Sequence, residues 1–78
     1  MKLTYDPKQN VAYIQFMDAP ANITTLKVSE SVFIDIASDG VVYGIELLNA
    51  NNQLFASGNQ LTVINKFLGK EKQISLDT

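Results

Sequence analysis

The chain of 78 residues contains no cysteine, no histidine, no arginine and no tryptophan. Without cysteine it can form no disulfide and offers no thiolate to a metal. Without histidine as well, the usual nucleophile–base pairs and zinc sites are missing. The chain thus lacks the commonest catalytic and metal-binding residue types, and the sequence predicts a protein that is not an enzyme and uses no cofactor and no metal.

The absence of arginine also argues against nucleic-acid binding, because arginine supplies the bidentate hydrogen bonds that most often grip phosphate and guanine. The net charge of −2 and the sequence pI near 4.7 disfavour a surface that follows phosphates. Lysines are scattered except for Lys66, Lys70 and Lys72. We assign that cluster to a solvated helix end, and we expect no nucleic-acid partner.

Long apolar runs are missing too. No stretch approaches the ~18–20 residues that a membrane-spanning helix needs. The opening MKLTYDPKQN has no apolar segment typical of a secretion signal and is expected to be mature protein. The lack of cysteine fits a reducing compartment. These features predict a cytoplasmic protein with no membrane partner.

A chain of 78 residues has room for one small globular domain, 1–78. A core of this size supplies only about 3–5 kcal/mol without a disulfide or a metal. Self-association is the stabiliser that remains open to it. The composition therefore predicts a homo-oligomer.

Alternating apolar and polar residues predict strands up to about residue 49. In VAYIQFM we place Ala12, Ile14 and Phe16 on the core face and Tyr13 on the opposite face. The preceding Asp6 begins a turn that contains proline. Its carboxylate is expected to accept hydrogen bonds from the amides of that turn.

Asp39-Gly40 predicts a two-residue type I′ hairpin, in which opposed residue numbers add up to 79. A three-residue loop is less favourable, because it would place Ile34 opposite Gly44. The first register gives one consistent apolar face. It pairs Ile36 with Tyr43, Ile34 with Ile45, and Val32 with Leu47.

The opposite face of this hairpin has mixed character and is a possible interaction surface, formed by Tyr13, Phe33, Asp35, Glu46 and Leu48. Asp35 and Glu46 lie diagonally across the two strands beside Gly44. Three interpretations stay open for these two carboxylates. They belong to a solvated polar face, to an interface, or to a site that binds a hard cation or divides acid and base roles.

The pattern changes after Asn49, where ANNQLFASGN predicts a short helical turn or a loop. A helix is then predicted over residues 60–68, capped by Asn59 and ended by a left-handed Gly69. Its apolar residues follow helical spacing: Leu61, Ile64, Phe67 and Leu68. The predicted fold is α+β, an antiparallel β-meander of four to five strands (1–50) with a C-terminal helix packed on one sheet face, within a loop, helix and short tail (51–78).

Several short motifs recur in order along the first fifty residues, and they resemble the small bacterial domain of unknown function family 2283. The resemblance covers residues 2–50 and rests on Tyr5-Asp6-Pro7, Ala12-Tyr13-Ile14, Val32-Phe33-Ile34-Asp35, Asp39-Gly40 and Gly44-Ile45-Glu46-Leu47-Leu48-Asn49-Ala50. It implies a compact β-meander with no established activity and an antitoxin-like or partner-binding role. The chain departs from the pattern at Ser31 and Val41, and residues beyond Ala50 match nothing in it.

The sequence thus predicts a non-catalytic protein-interaction module that self-associates and has an antitoxin-like role towards a small protein partner. The alternative is a small ligand- or metal-binding protein, or an enzyme, that uses Asp35 and Glu46. Whether the helix at 60–68 packs on its own sheet or on a neighbour's is left open by the sequence.

Overall fold

The computed structural model describes residues 1–76. Within that range it contains one short helix, α1 (Ala50–Leu54), and seven strands. The strands are β1 (Lys2–Asp6), β2 (Val11–Gln15), β3 (Ile23–Ser29), β4 (Val32–Ala37), β5 (Val42–Leu48), β6 (Gln60–Asn65) and β7 (Lys70–Ser75). The prediction of a mainly antiparallel β protein is confirmed, and α1 lies in ANNQLFASGN, where the sequence predicted a short helical turn or a loop.

The first five strands form one antiparallel sheet in the order β1-β2-β5-β4-β3. A plain meander would have paired β2 with β3, so that part of the prediction is wrong. Residues 16–22 instead carry the chain past two strands. Three strand spacings amount to about 14 Å, which seven residues span without strain. Pro20 in this connection cannot donate to a ladder, which suits it to a segment that leaves the sheet.

Away from the turn, the register of β4 with β5 agrees with the prediction. Val32 pairs with Leu47 and Ile34 with Ile45. Near the turn the register shifts, and Ile36 pairs with Val42 rather than Tyr43. Tyr43 is thus the extra residue of a β-bulge, which the alternation of apolar residues could not reveal.

The loop of this hairpin has three residues rather than the predicted two. The amide of Gly40 donates to the carbonyl of Ala37, and the amide of Ala37 donates to the carbonyl of Val41. Gly40 has a φ of 88° and Asp39 has no positive φ, whereas a type I′ turn requires positive φ at both central residues. The bulge at Tyr43 then restores the register that the longer loop shifts by one residue.

The C-terminal segment is a second β-hairpin, so the helix predicted over residues 60–68 is wrong. β6 and β7 pair antiparallel, with Leu61 opposite Ile74, and form their own two-stranded sheet. Residues 77 and 78 of the predicted tail lie outside the described residues.

Helical spacing misled the prediction because β6 alternates as well. Gln60, Thr62 and Ile64 lie on one face, and Leu61 and Val63 lie on the other. Thr, Val and Ile in succession favour a strand. The Asn65 side chain accepts hydrogen bonds from the amides of residues 67 and 68, at 3.0 Å each, and so begins a turn. Gly69 does adopt the predicted left-handed conformation, at φ 65°, but in that turn rather than at a helix end.

Three asparagines join the β1–β2 turn to the start of α1. Asn10 and Asn49 both have positive φ, 56° and 54°. The Asn10 side chain donates to Asn51 Oδ1 at 2.7 Å and accepts from the Asn51 amide at 2.8 Å. The amide of Ala50 also donates to the carbonyl of Asn10 at 3.0 Å. These bonds hold α1 against β2, where Ala12 and Ala50 are fully buried.

Little else in the chain is buried. Among the described residues the buried hydrophobic side chains are Ala12, Ala37 and Ala50. The radius of gyration is 14.1 Å, against about 11.5 Å for a compact domain of this length. The sheet therefore has no thick hydrophobic core of its own.

The Asn10 contacts predict a measurable difference between two substitutions. Asn10→Ala removes the side-chain hydrogen bonds and strains a left-handed backbone, and we expect it to lower the free energy of unfolding by about 2–4 kcal/mol. Asn10→Gly tolerates the left-handed backbone and loses only the side-chain hydrogen bonds. We therefore expect its decrease in the free energy of unfolding to be about 1–2 kcal/mol smaller. Urea unfolding at one fixed protein concentration measures both. Equal losses would contradict a role for the left-handed conformation.

Candidate functional site

The strand registers divide the main sheet into two faces of different chemistry. The first, the apolar face, carries no charged side chain on any of its five strands. It comprises Leu3, Tyr5, Ala12, Ile14, Thr24, Leu26, Val32, Ile34, Ile36, Val42, Ile45 and Leu47. Charged residues of these strands point to the other side, the mixed face.

The mixed face contains all five residues predicted to form an interaction surface. Tyr13 and Phe33 lie on either side of Glu46 in neighbouring strands. Leu48 and Asp35 lie in the adjacent rows, opposite Val11 and Gly44. All five predicted side chains are partly exposed. The structure brings them together, and their role in binding stays a prediction.

Asp35 is the centre of a hydrogen-bonded cluster on the mixed face. The Tyr13 hydroxyl donates to Asp35 Oδ2 at 2.5 Å, and the Thr25 hydroxyl donates to Oδ1 at 2.5 Å. Thr25 is directly opposite Asp35 in the β3–β4 pair. The sequence did not reveal Thr25 as a partner of Asp35, because it gave no register for β3. A threonine opposite an acidic residue in the neighbouring strand favours such a hydrogen bond.

Gly44 makes the cluster possible. A Cβ atom at this position would lie 2.5 Å from Tyr13 Cε1 and Cζ. The ring of Tyr13 therefore lies against the backbone of β5, on its way to Asp35. Tyr43 flanks it, with the ring centroids 6.1 Å apart and the planes at 50°. This contact places Tyr43 beside Tyr13, whereas the sequence predicted it on the apolar face opposite Ile36.

The environment of Tyr13 favours its neutral form. Partial burial, followed by the hydrogen bond to the Asp35 carboxylate and the charge of that carboxylate, raises the pKa of Tyr13 far above its usual range. The phenol therefore stays a donor at neutral pH. Tyr13 lies on the face opposite Ala12 and Ile14, as the sequence predicted, and its hydroxyl there binds Asp35.

This arrangement leaves the Asp35 carboxylate little capacity for a ligand, since each oxygen already accepts a short hydrogen bond from the protein. Lys27 forms its ion pair with Glu30, at 3.1 Å, rather than with the carboxylates of this face. No group of three or more acidic residues within positions 1–76 could hold a metal ion. A site built on Asp35 and Glu46 stays a prediction that the geometry does not favour.

Residues of α1 and just after it cover part of the apolar face over β1 and β2. Phe55, just after α1, contacts the ring of Tyr5 edge-on, with centroids 5.4 Å apart. The base of the β6–β7 hairpin borders a groove of about 480 Å³ on the same side. Its apolar lining includes Leu3, Ile14, Phe16, Leu54, Leu61 and Ile74.

Over β3 the apolar face is open, and over β4 it is partly exposed. Leu26 is 47% exposed, and Ile34 beside it is partly exposed. The tip of the C-terminal hairpin is more exposed still, with Phe67 at 96% and Leu68 at 58%. The chain thus has two uncovered apolar surfaces, the open half of the apolar face and the hairpin tip.

A family model of proteins of unknown function, DUF2283, matches residues 2–51. The match spans the five-stranded sheet and the first two residues of α1. The chain belongs to the DUF2283 family. Neither the curated proteins nor the solved structures include a match to it. The β6–β7 hairpin lies beyond the part that the DUF2283 model covers, so family membership accounts for the sheet and not for the hairpin.

Within the described part of the chain, no helix has the length and apolar character required to cross a membrane.

Gly44 offers a direct test of the packing of Tyr13. Gly44→Ala forces the ring away from β5 and away from Asp35, and we expect a loss of about 1–3 kcal/mol in the free energy of unfolding. In a Tyr13→Leu background the same substitution meets a shorter side chain, and its effect should be smaller by at least 1 kcal/mol. Urea unfolding of the wild type, the two single variants and the double variant gives the coupling free energy between positions 13 and 44. Strict additivity would show that the ring does not lie over Gly44.

The raised pKa of Tyr13 predicts a specific loss of stability in alkali. Because the folded-state pKa lies above the unfolded value near 10, the contribution of Tyr13 is fully present below pH 10 and declines as the pH rises beyond it. Urea unfolding between pH 8 and 11 should show this decline. In Tyr13→Phe it should be weaker, because the variant has no phenol to titrate at this position. Equal pH slopes for the two proteins would contradict the assignment.

Proposed function

We propose that the chain is a non-catalytic interaction module that self-associates through its apolar face. The observation that carries the proposal is the combination of an uncharged, half-open sheet face with a described chain, 1–76, whose buried hydrophobic side chains are three alanines. A face of this kind costs free energy in water, and it gains free energy when it packs against a similar surface.

The exposed area supports this proposal. A compact monomer of this mass would expose about 4,700 Å², whereas the chain of 8.6 kDa exposes 5927 Å². The excess is about 1,200 Å², and a stable interface of standard size buries about 800 Å² on each partner. One contact of this size with a second copy would therefore bring the exposed area per chain into the normal range.

A second copy suits the apolar face for chemical reasons. The face offers no charge for a charged partner to recognise, and its β-branched and leucine side chains suit contact with apolar residues of a second copy. In a two-fold dimer each copy presents the same patch to the other. Association would bury Leu26 and Ile34 in both copies at once.

The antitoxin-like role implied by the family resemblance stays a prediction, and so does binding of a small protein partner. A small apolar protein could occupy the same face. Such a partner would compete with the second copy, so a monomeric state of the pure protein would favour it.

Leu26 is suited to test the proposed interface, because its side chain is already 47% exposed in the single chain and substitutions at exposed positions usually change stability little. We expect the wild-type protein to sediment as a dimer at micromolar concentration. Leu26→Lys should raise the dissociation constant of the dimer at least a hundredfold, because each of the two copies then places one charged side chain in the interface.

Lys27→Gln is the matched control on the same strand, because Lys27 points to the mixed face. Its dimer should dissociate as the wild type does. Sedimentation equilibrium and circular dichroism, which checks that each variant is folded, give both results. A wild-type protein that remains monomeric at several hundred micromolar would overturn the proposed function.

A further inference from the structure

We infer that the β6–β7 hairpin is an exchanged arm, which leaves its own sheet and packs its apolar tip on the apolar face of a second copy. The inference rests on the self-association proposed above and specifies how it is achieved. The hairpin lies outside the residues that match the DUF2283 model, so the family match does not account for it.

The arm is a separate structural unit. No strand of the five-stranded sheet pairs with β6 or β7. Every residue of both strands is exposed. An isolated two-stranded hairpin is at best marginally stable in water. The β6–β7 pair is thus expected to need a surface on which to pack, and its own sheet contacts it only at its base.

The tip of the arm exposes apolar side chains. The two hydrogen bonds to Asn65 Oδ1 and the left-handed Gly69 define a compact turn. This turn holds Phe67 at 96% exposure, with Leu68 and Ile64 at 58% and 62%. Burial of a phenylalanine this exposed would contribute about 1.5–3 kcal/mol of stabilisation. The most exposed large hydrophobic side chain of the described residues therefore lies in the turn of the arm, at the end away from its base.

The charges favour a second copy as the surface that receives the arm. The arm carries three lysines and one glutamate, a net charge of +2, at Lys66, Lys70, Glu71 and Lys72. Residues 1–50 carry six carboxylates and three lysines, a net charge of −3. Asp18, Glu30 and Asp39 lie in the connections around the sheet, outside its strands. An arm on the apolar face would place Phe67 over apolar residues and its lysines near this acidic rim.

Reach and symmetry agree with exchange. Six-residue strands extend about 20 Å, whereas the three strands from β5 to β3 span about 10 Å. The arm is thus long enough to cross the open half of another sheet. Two copies that exchange arms about a two-fold axis leave no arm and no face unpaired, so the assembly closes as a dimer.

Cross-linking can test the exchange directly, because the chain has no cysteine. Lys66→Cys marks the tip of the arm. Thr24→Cys marks the apolar face, and Lys27→Cys marks the mixed face on the same strand. The Lys66→Cys variant is mixed with either the Thr24→Cys or the Lys27→Cys variant, and the mixture is treated with a short bis-maleimide. One variant of each pair is labelled with ¹⁵N, so that the cross-linked heterodimer is identified by its mass. We expect at least tenfold more cross-linked heterodimer for the Lys66–Thr24 pair than for the Lys66–Lys27 pair.

The double variant with cysteines at positions 66 and 24 distinguishes the two surfaces that the arm could use. An intrachain cross-link that forms at low concentration, without interchain product, would mean that the arm folds back on its own sheet, and it would overturn the exchange. Product that appears between chains and falls on dilution supports the exchange.

Phe67→Ser provides an independent measurement. Because Phe67 is exposed in one chain, its loss leaves the monomer fold intact, and we expect the dissociation constant of the dimer to rise about a hundredfold, tenfold for each arm. Phe67→Leu should retain most of the affinity. A dimer that survives Phe67→Ser but dissociates in Leu26→Lys retains the proposed self-association and overturns the exchanged arm. A monomeric wild type overturns both.

Discussion

The pairing of β5 with β2 on one side and with β4 on the other determines which side chains reach each face of the sheet. Ile45 meets Ile14 and Ile34, while Glu46, one residue later, meets Tyr13 and Phe33. A slip of one residue would exchange these two sets and place charge among the aliphatic side chains. The separation of an uncharged face from a mixed one therefore depends on this central strand.

The β-bulge at Tyr43 maintains that separation. The three-residue loop that ends in Gly40 shifts the pairing near the turn by one residue, and the bulge shifts it back before Gly44. Gly44 then lies opposite Asp35 and leaves room for the ring of Tyr13. One extra residue thus keeps β5 in register and also creates the space through which Tyr13 reaches Asp35.

The two faces differ in how far the chain itself satisfies them. On the mixed face, Asp35 is bound by Tyr13 and Thr25, and the buried polar side-chain atoms of the described residues all have partners. A polar surface satisfied in this way gains little from a further ligand. On the apolar face no comparable cover exists over β3 and β4. Exposed apolar surface, rather than unpaired polar groups, is therefore what the molecule still has to bury, and contact with another protein surface would bury it.

Local signals in the sequence predicted what depends on nearby residues. The turn at Asp6 forms as expected, with its Oδ1 accepting from the amides of Lys8 and Gln9 at 2.9 and 3.2 Å. The outer register of β4 with β5 follows from alternation alone. The pairing of β2 with β5 does not, because it joins segments that are distant in the chain, and the sequence offered no alignment between them. The bulge at Tyr43 was missed for a related reason, since an extra residue leaves the apolar pattern on each side intact.

The error over residues 60–68 has a physical cause that bears on function. Leu61, Ile64, Phe67 and Leu68 fit a helix and Leu61, Val63 and Ile74 fit a hairpin, so the sequence alone does not decide between them. An apolar stripe on a helix would have covered the sheet, as a single stable domain requires. The hairpin contacts the sheet only at its base and leaves the tip uncovered. If the missing cover comes from a second copy, folding of the arm and association are one equilibrium, and the stability of the protein rises with its concentration.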